Sequence, residues 1–219
     1  KVRWEKCPVC QAKIKELGLK DDGNFNAEHY LQSYVMERME KFLATKGKKI
    51  IGWDEILEGT PGPDATVMSW RGSDGGIKAS KMGHDVIMVP NSYFYFDYYQ
   101  APDTENEPFG IGGYVPIEKV YSYDPYTEIT EPEAREHILG IQANLWTEYI
   151  ASNAHLEYMV LPRQAALSEV QWCQPAVKDW DRFLSSLSHE AAMYDIMGYN
   201  YAKTVFQIIS KVSVNHDRN

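Results

Sequence analysis

The chain has 219 residues, 44% of them hydrophobic and 13% aromatic, enough to bury one sizeable core and too apolar for a disordered chain. Asp and Glu number 31 against 22 Lys and Arg, a net charge of -9, which disfavours nucleic acid or an anionic membrane as partner. No run of about 18 apolar residues occurs, and the odd set Cys7, Cys10 and Cys173 excludes full intramolecular disulfide pairing.

In chain order, apolar residues between Glu28 and Lys46 fall at Tyr30, Leu31, Tyr34, Val35, Met39, Phe42 and Leu43, the spacing of a helix with a buried face that stops at Gly47. Lys49 to Trp53 reads as a short buried strand and Asp64 to Trp70 as a second, each ending in Trp. A helix over Gly75 to Met82 leads to a third strand, Asp85 to Val89. A long Pro- and Tyr-rich connection from Tyr98 to Thr130 follows, of the length that serves as a functional lid, and its aromatics predict an ordered loop over a barrel mouth or against a neighbouring subunit. A short helix near Glu131 to Glu136 precedes a fourth strand, Ile138 to Leu145. Helical periodicity returns over His155 to Trp172 and Trp180 to Met197.

Short apolar strands interleaved with helices predict parallel β/α units. No Gly-rich phosphate loop follows a strand, and polar and aromatic residues gather just beyond the strand ends, the habit of a (β/α)₈ active face. Four units fill nearly the whole chain, whereas a complete barrel takes about 250 residues. The sequence therefore predicts half of a TIM barrel, with open sheet edges that a second copy or the other half would cover.

At the strand tips, Tyr95 and Asp97 lie two apart in the aromatic segment Tyr93 to Tyr99, which reads as extended, so both leave on one face. Trp146 and Glu148 repeat that spacing, and Trp53 and Trp70 close the first two strands. Flat rings that cover sugar C–H faces and carboxylates that accept from hydroxyls are what a carbohydrate site needs. Taken singly, a Trp at a strand end is more often a core-packing or rim residue than a ligand platform, and Asp97 and Glu148 are equally solvated acids or partners of Arg71 and Arg163. The adjacent Asp54 and Glu55 look like a catalytic pair, but on an extended chain they point to opposite faces, so one of them caps the next turn or meets a Lys. Cys7-Pro8-Val9-Cys10 lacks the second ligand pair of a zinc site. No metal and no cofactor is expected, and no nucleophile elbow is present.

Together these stretches resemble glycoside hydrolase family 20, the β-N-acetylhexosaminidases. The matching residues are Lys1 to Trp4 with Cys7 to Gln11, Gly52 to Ile56, Met68 to Gly72, Tyr95 to Gln100, Val120 to Pro125, Gly140 to Glu148, and Glu157-Tyr158 with Pro162-Arg163 and Ala166 to Val170. Any one is weak; seven in register are specific. The resemblance covers residues 1–202 as the C-terminal half of the barrel and leaves 203–219 as a tail of unknown role, with a strand-like Val205 to Ile209.

The resemblance implies a retaining, substrate-assisted mechanism, an exception to the two-carboxylate scheme, acting on glycans that end in N-acetylhexosamine. By position it gives Tyr95 the acetamide oxygen, Trp53, Trp70 and Trp146 the walls around the acetyl methyl, and Asp97 and Glu148 the sugar 4- and 6-hydroxyls. It also implies that the family's catalytic Asp-Glu pair, in a His-Xaa-Gly-Gly-Asp-Glu stretch, lies just before the segment like Lys1 to Trp4. The chain alone is then expected to be inactive, and a noncatalytic carbohydrate-binding role or a split half-barrel is the alternative.

Overall fold

The computed structural model describes residues 1–207 and 209. In chain order the helices and strands are α1 (Val2–Glu5), α2 (Pro8–Leu17), α3 (Ala27–Ala44), β1 (Ile51–Trp53), β2 (Thr66–Ser69), α4 (Asp74–Lys81), β3 (Val86–Met88) and α5 (Asn91–Phe94). They continue with α6 (Ile117–Ser122), α7 (Pro132–Glu136), β4 (Ile138–Ile141), α8 (Asn153–Val160), α9 (Arg163–Trp172) and α10 (Trp180–Met197), and 3₁₀ turns occupy Asp54–Leu57 and Pro175–Val177. The chain divides into two compact units: Lys1–Met88 with Tyr126–Gly140, and Val89–Pro125 with the chain from Ile141 onward.

In the first unit, α2 opens on Pro8, whose missing N–H costs nothing there, and ends at Gly18 with φ +65°, a left-handed stop that favours glycine. Asn26 caps α3 by accepting the backbone N–H of His29. Ile14, Ala27 and Leu31 join the two helices, flanked by Trp4, Cys10, Leu19 and Tyr34. The apolar face read along α3 is buried only at its N-terminal end. Val35, Met39 and Phe42 are exposed, because α3 meets the rest of the unit through Gln32 on the Glu55 carbonyl and Ser33 on the Thr60 N–H, both in its first half.

The four strands form one sheet in the order β1-β2-β3-β4. β1 runs parallel to β2, with Gly52 opposite Val67, and β2 parallel to β3, with Met68 opposite Ile87. The Val86 N–H donates to the His137 carbonyl at the start of β4. Val67 and Val86 are fully buried, and α4 crosses from β2 to β3 as a parallel connection requires. The α/β architecture expected from the sequence is thus present, with all four predicted strands in place, the fourth ending at Ile141 rather than Leu145.

The second unit holds α5, α6 and α8 to α10. Here the structure corrects three readings. Tyr93 to Tyr99 is not extended: Asn91–Phe94 is a helical turn, Tyr95 makes an isolated parallel bridge to Asn144, and residues 96–98 turn. Aromatic strand propensity lost to the turn that follows Pro90, whose carbonyl accepts from Tyr93 and Phe94. The helix read over His155 to Trp172 is two helices, interrupted at Leu161-Pro162, where proline supplies no N–H. Within the long connection Ile117–Ser122 is helical, with Ile117, Val120 and Tyr121 buried. In the tail, residues 204–207 are helical rather than strand-like, and the remainder of that stretch except Ile209 lies outside the described residues.

Arg163 organises this unit. It is fully buried, donates to the carbonyls of Met159, Val115 and Phe96 at 2.5–3.2 Å, and lies over the Phe96 ring at 4.7 Å. Burial draws the guanidinium down to about 9, opposed by the charges of Asp97 and Glu107. Gln100 Nε2 serves the carbonyls of Tyr158 and Leu161 at the end of α8.

Two substitutions test this packing. A Cβ at Gly76 in α4 would sit 2.4 Å from Met88 Sδ and 3.0 Å from Ser69 Cβ, so Gly76→Ala is expected to overpack the α4–sheet contact and lower unfolding stability by about 1–3 kcal/mol. Arg163→Met strips three buried carbonyls of their donor and is expected to cost more, at least about 3 kcal/mol. Urea midpoints of the two variants against the parent check both the sizes and their order.

Candidate active site

In the first unit, Trp53 ends β1 and Trp70 follows β2. Trp53 stands opposite Met68 in the parallel register, two residues before Trp70, so the alignment sets both indoles at the same end of neighbouring strands. Both are half-buried. The Trp70 Nε1–H reaches the Glu55 carboxylate, 3.1 and 3.0 Å from its two oxygens. Its backbone N–H donates to Asp54 Oδ2 at 2.9 Å, which also accepts the Arg71 N–H at 3.1 Å. Arg71 further pairs with Asp54 Oδ1 and with Glu58, and Glu58 with Lys1. Asp54 and Glu55 are therefore partners of the chain itself. The expectation that they diverge fails because the backbone leaves β1 directly into a 3₁₀ turn, which brings both carboxyls to the end of β2. The partner that one of them meets is Arg71 rather than a Lys.

In the second unit, Tyr95 and Trp146 come together, their ring centroids 6.3 Å apart at 64°. The cause is the bridge between Tyr95 and Asn144: the Phe96 N–H donates to the Asn144 carbonyl at 2.7 Å and the Asn144 N–H to the Phe94 carbonyl at 2.8 Å. With the backbones locked at Asn144, Trp146 lies two residues on, within edge contact of Tyr95. Tyr98 closes another side at 5.7 Å from the Tyr95 ring. Burial pushes the Tyr95 hydroxyl above the ordinary phenol range, only partly offset by the Trp146 and Asn144 side chains that approach it. The group is consequently a hydrogen-bond donor throughout the neutral range.

Asp97 is 4% exposed, and its Oδ1 has no hydrogen-bond partner among the described residues. Burial raises its carboxyl above the usual aspartate range, opposed by its own and the Trp146 backbone N–H groups and by Arg163, and reinforced by the charge of Glu148. Glu148 itself is exposed, as is Trp146 at 41%. A buried carboxylate oxygen without a protein partner is uncommon and marks Asp97 as a candidate site residue. Asn144 and Arg163 are the residues that reading by motif did not mark as site-forming. The alternation of Asn144 with Trp146 and Glu148 along one extended run is the signal that could have found the first.

Cys7 begins α2 as its N-cap, and Cys7, Cys10 and Cys173 are all unpaired thiols. Among the described residues no group of three or more His, Cys, Asp or Glu side chains is placed to hold a metal.

Residues 1–175 match the model of the glycosyl hydrolase family 20 catalytic domain. A beta-hexosaminidase of Porphyromonas gingivalis is 46% identical over 202 residues, which is 92% of this chain and 25% of that protein. A beta-N-acetylhexosaminidase of Cellulomonas fimi is 32% identical over 71% of this chain and 32% of its own length. The crystal structure of the family 20 exo-β-N-acetylglucosaminidase from Vibrio harveyi, in complex with N-acetylglucosamine, superimposes with a TM-score of 0.79 at 32% identity, covering 91% of this chain and 31% of that one. The chain thus spans about a quarter to a third of the length of these relatives. Its parallel β/α units are those of their barrel, and the chain belongs to glycosyl hydrolase family 20, within the catalytic domain.

Proposed function

We propose that this chain supplies the sugar-binding half of a β-N-acetylhexosaminidase, which removes non-reducing terminal N-acetylglucosamine or N-acetylgalactosamine by substrate-assisted catalysis. The observation that carries the reading is the Tyr95–Trp146 pair locked by Asn144 beside the buried carboxylate of Asp97. An acetamide that acts as nucleophile needs an apolar box, one hydroxyl donor and no protein nucleophile; Tyr95 offers the hydroxyl and Trp146 an apolar face beside it.

In the proposed reaction the substrate's 2-acetamido oxygen attacks the anomeric carbon as the glycosidic C–O bond breaks. The leaving oxygen takes a proton from the family's catalytic Glu, which is not among the 219 residues, and water then opens the oxazolinium with retention. Tyr95 donates to the acetamide oxygen and, with Trp53, Trp70 and Trp146 around the methyl, holds it in line for attack, which is catalysis by positioning. Asp97 and Glu148 accept from the 4- and 6-hydroxyls and restrict cleavage to chain ends. The reaction needs no metal or cofactor.

A noncatalytic, sugar-binding role is the second reading. Mixing this chain with one carrying the first four barrel strands separates the two: appearance of hydrolysis favours the enzyme, whereas N-acetylglucosamine binding without turnover favours the binding module.

In an intact enzyme carrying this chain, Tyr95→Phe is expected to lower kcat/KM for an aryl N-acetyl-β-glucosaminide by roughly 2–4 kcal/mol, the range for one lost transition-state hydrogen bond. A loss under about threefold would remove Tyr95 from the mechanism. Asp97→Asn makes a different prediction. Because the folded carboxyl lies above its unfolded value, the fold favours the protonated form; that contribution is full below about pH 4 and lost as pH rises through the folded value, so at neutral pH the ionised group is a cost. The Asn variant should lose kcat/KM yet keep or raise its Tm at pH 7, with the Tm difference shrinking in acid, as thermal melts across pH would show.

A further inference from the structure

The adjacent acids Asp54 and Glu55 drew notice in the sequence as a would-be catalytic pair, and nothing in the proposed reaction uses them. We propose that together they clamp Trp70, which makes Glu55 a positioning residue for the acetamide box. The inference rests on the reading of Trp70 as a wall of that box.

Three observations carry it. The 3₁₀ turn at Asp54–Leu57 follows β1 without a linker, so two consecutive carboxyls face the residue just past the neighbouring strand. Asp54, 2% exposed, fixes Trp70 at its backbone N–H and is itself fixed by the Arg71 N–H and guanidinium. Gly75 packs against it so closely that a Cβ there would lie 2.9 Å from Asp54 Cβ. Glu55 then holds the other end of the same residue, straddling the indole N–H with both oxygens. The backbone bond sets where the side chain starts and the ring bond sets which way the plane faces, so the two together define χ1 and χ2.

An indole N–H that needed only satisfaction would find water at a half-buried strand tip. A carboxylate that accepts the indole N–H with both oxygens adds charge to the bond and resists rotation of the ring when a methyl group presses against it. Glu55 accordingly acts through Trp70 and touches no substrate atom. Near-attack geometry is sensitive to displacements of this kind, about a hundredfold in rate for 1 Å, so a loosened wall registers in kcat more than in KM.

The test is a double-mutant cycle on an intact enzyme bearing this chain, with Glu55→Ala, Trp70→Phe and the double variant assayed on an aryl N-acetyl-β-glucosaminide, and Glu55→Gln as the conservative variant. Glu55→Ala should lower kcat by about tenfold with KM changed less than about threefold, and Glu55→Gln, which keeps an acceptor oxygen, should recover most of it. In the Trp70→Phe background, where no indole N–H exists, Glu55→Ala should add less than about twofold. An undiminished effect in that background, or no effect in the parent, overturns the positioning role. The indole ¹⁵N–H resonance of Trp70, identified by its disappearance in Trp70→Phe, should move upfield in Glu55→Ala, and a resonance that stays put overturns the clamp whatever the activity. Failure of the unmutated enzyme to cleave the glycoside would instead sink the hexosaminidase reading, with the indole shift still deciding the clamp.

Discussion

A guanidinium buried in the fold must find its hydrogen bonds in the protein, and Arg163 finds them on backbone carbonyls drawn from three separate stretches of chain: its own approach from α8, the loop residue Val115, and Phe96. Fixing the Phe96 carbonyl fixes the turn between Tyr95 and Asp97, because Phe96 is the residue that joins them. The Phe96 N–H is spent on Asn144, so both polar groups of this one peptide segment are committed in opposite directions. A side chain attached to so constrained a backbone loses little further entropy when it binds. Site geometry in the second unit is in this sense a consequence of where one buried charge sits.

The first unit solves the same problem with carboxylates. Parallel pairing aligns the ends of β1 and β2, but pairing alone leaves the residue past the strand free to swing. Asp54 removes that freedom by accepting two successive N–H groups, from Trp70 and Arg71, which no longer have a strand partner. Acidic residues directly after a strand thus terminate the sheet and hold its tip in one step, the role that N-caps perform for helices.

How much of this was legible in the sequence depends on the range of the forces involved. The four strands and helices such as α3, α4 and α10 follow from local periodicity, and each is found. The misreadings occur where a tertiary partner outweighed a local preference. Tyr93 to Tyr99 carries aromatic strand formers, yet the Pro90 carbonyl captured Tyr93 and Phe94 into a turn. α8 and α9 continue one apolar period across Leu161-Pro162, where only the missing proline N–H marks the break. Of the candidate residues, Trp53, Trp70 and Trp146 stood out by their places at strand ends, whereas Arg163 was indistinguishable from a surface arginine because burial is not written in its neighbours. The assignment of roles came from motifs in register and not from periodicity, which yields a barrel half and no substrate.

Asp97 and Glu148, paired by spacing and by proposed role, differ in one physical respect that the sequence conceals. Glu148 is exposed and must shed water before it can accept from a sugar hydroxyl. Asp97 is buried, with one oxygen lacking a protein partner among the described residues and Arg163 near enough to oppose its protonation, so most of its desolvation was met during folding and is not charged again on binding. In the proposed site the discriminating contact with the terminal sugar therefore falls to Asp97, since a donor missing from the ligand leaves a buried anion unsatisfied, whereas at Glu148 solvent fills the same gap at little cost.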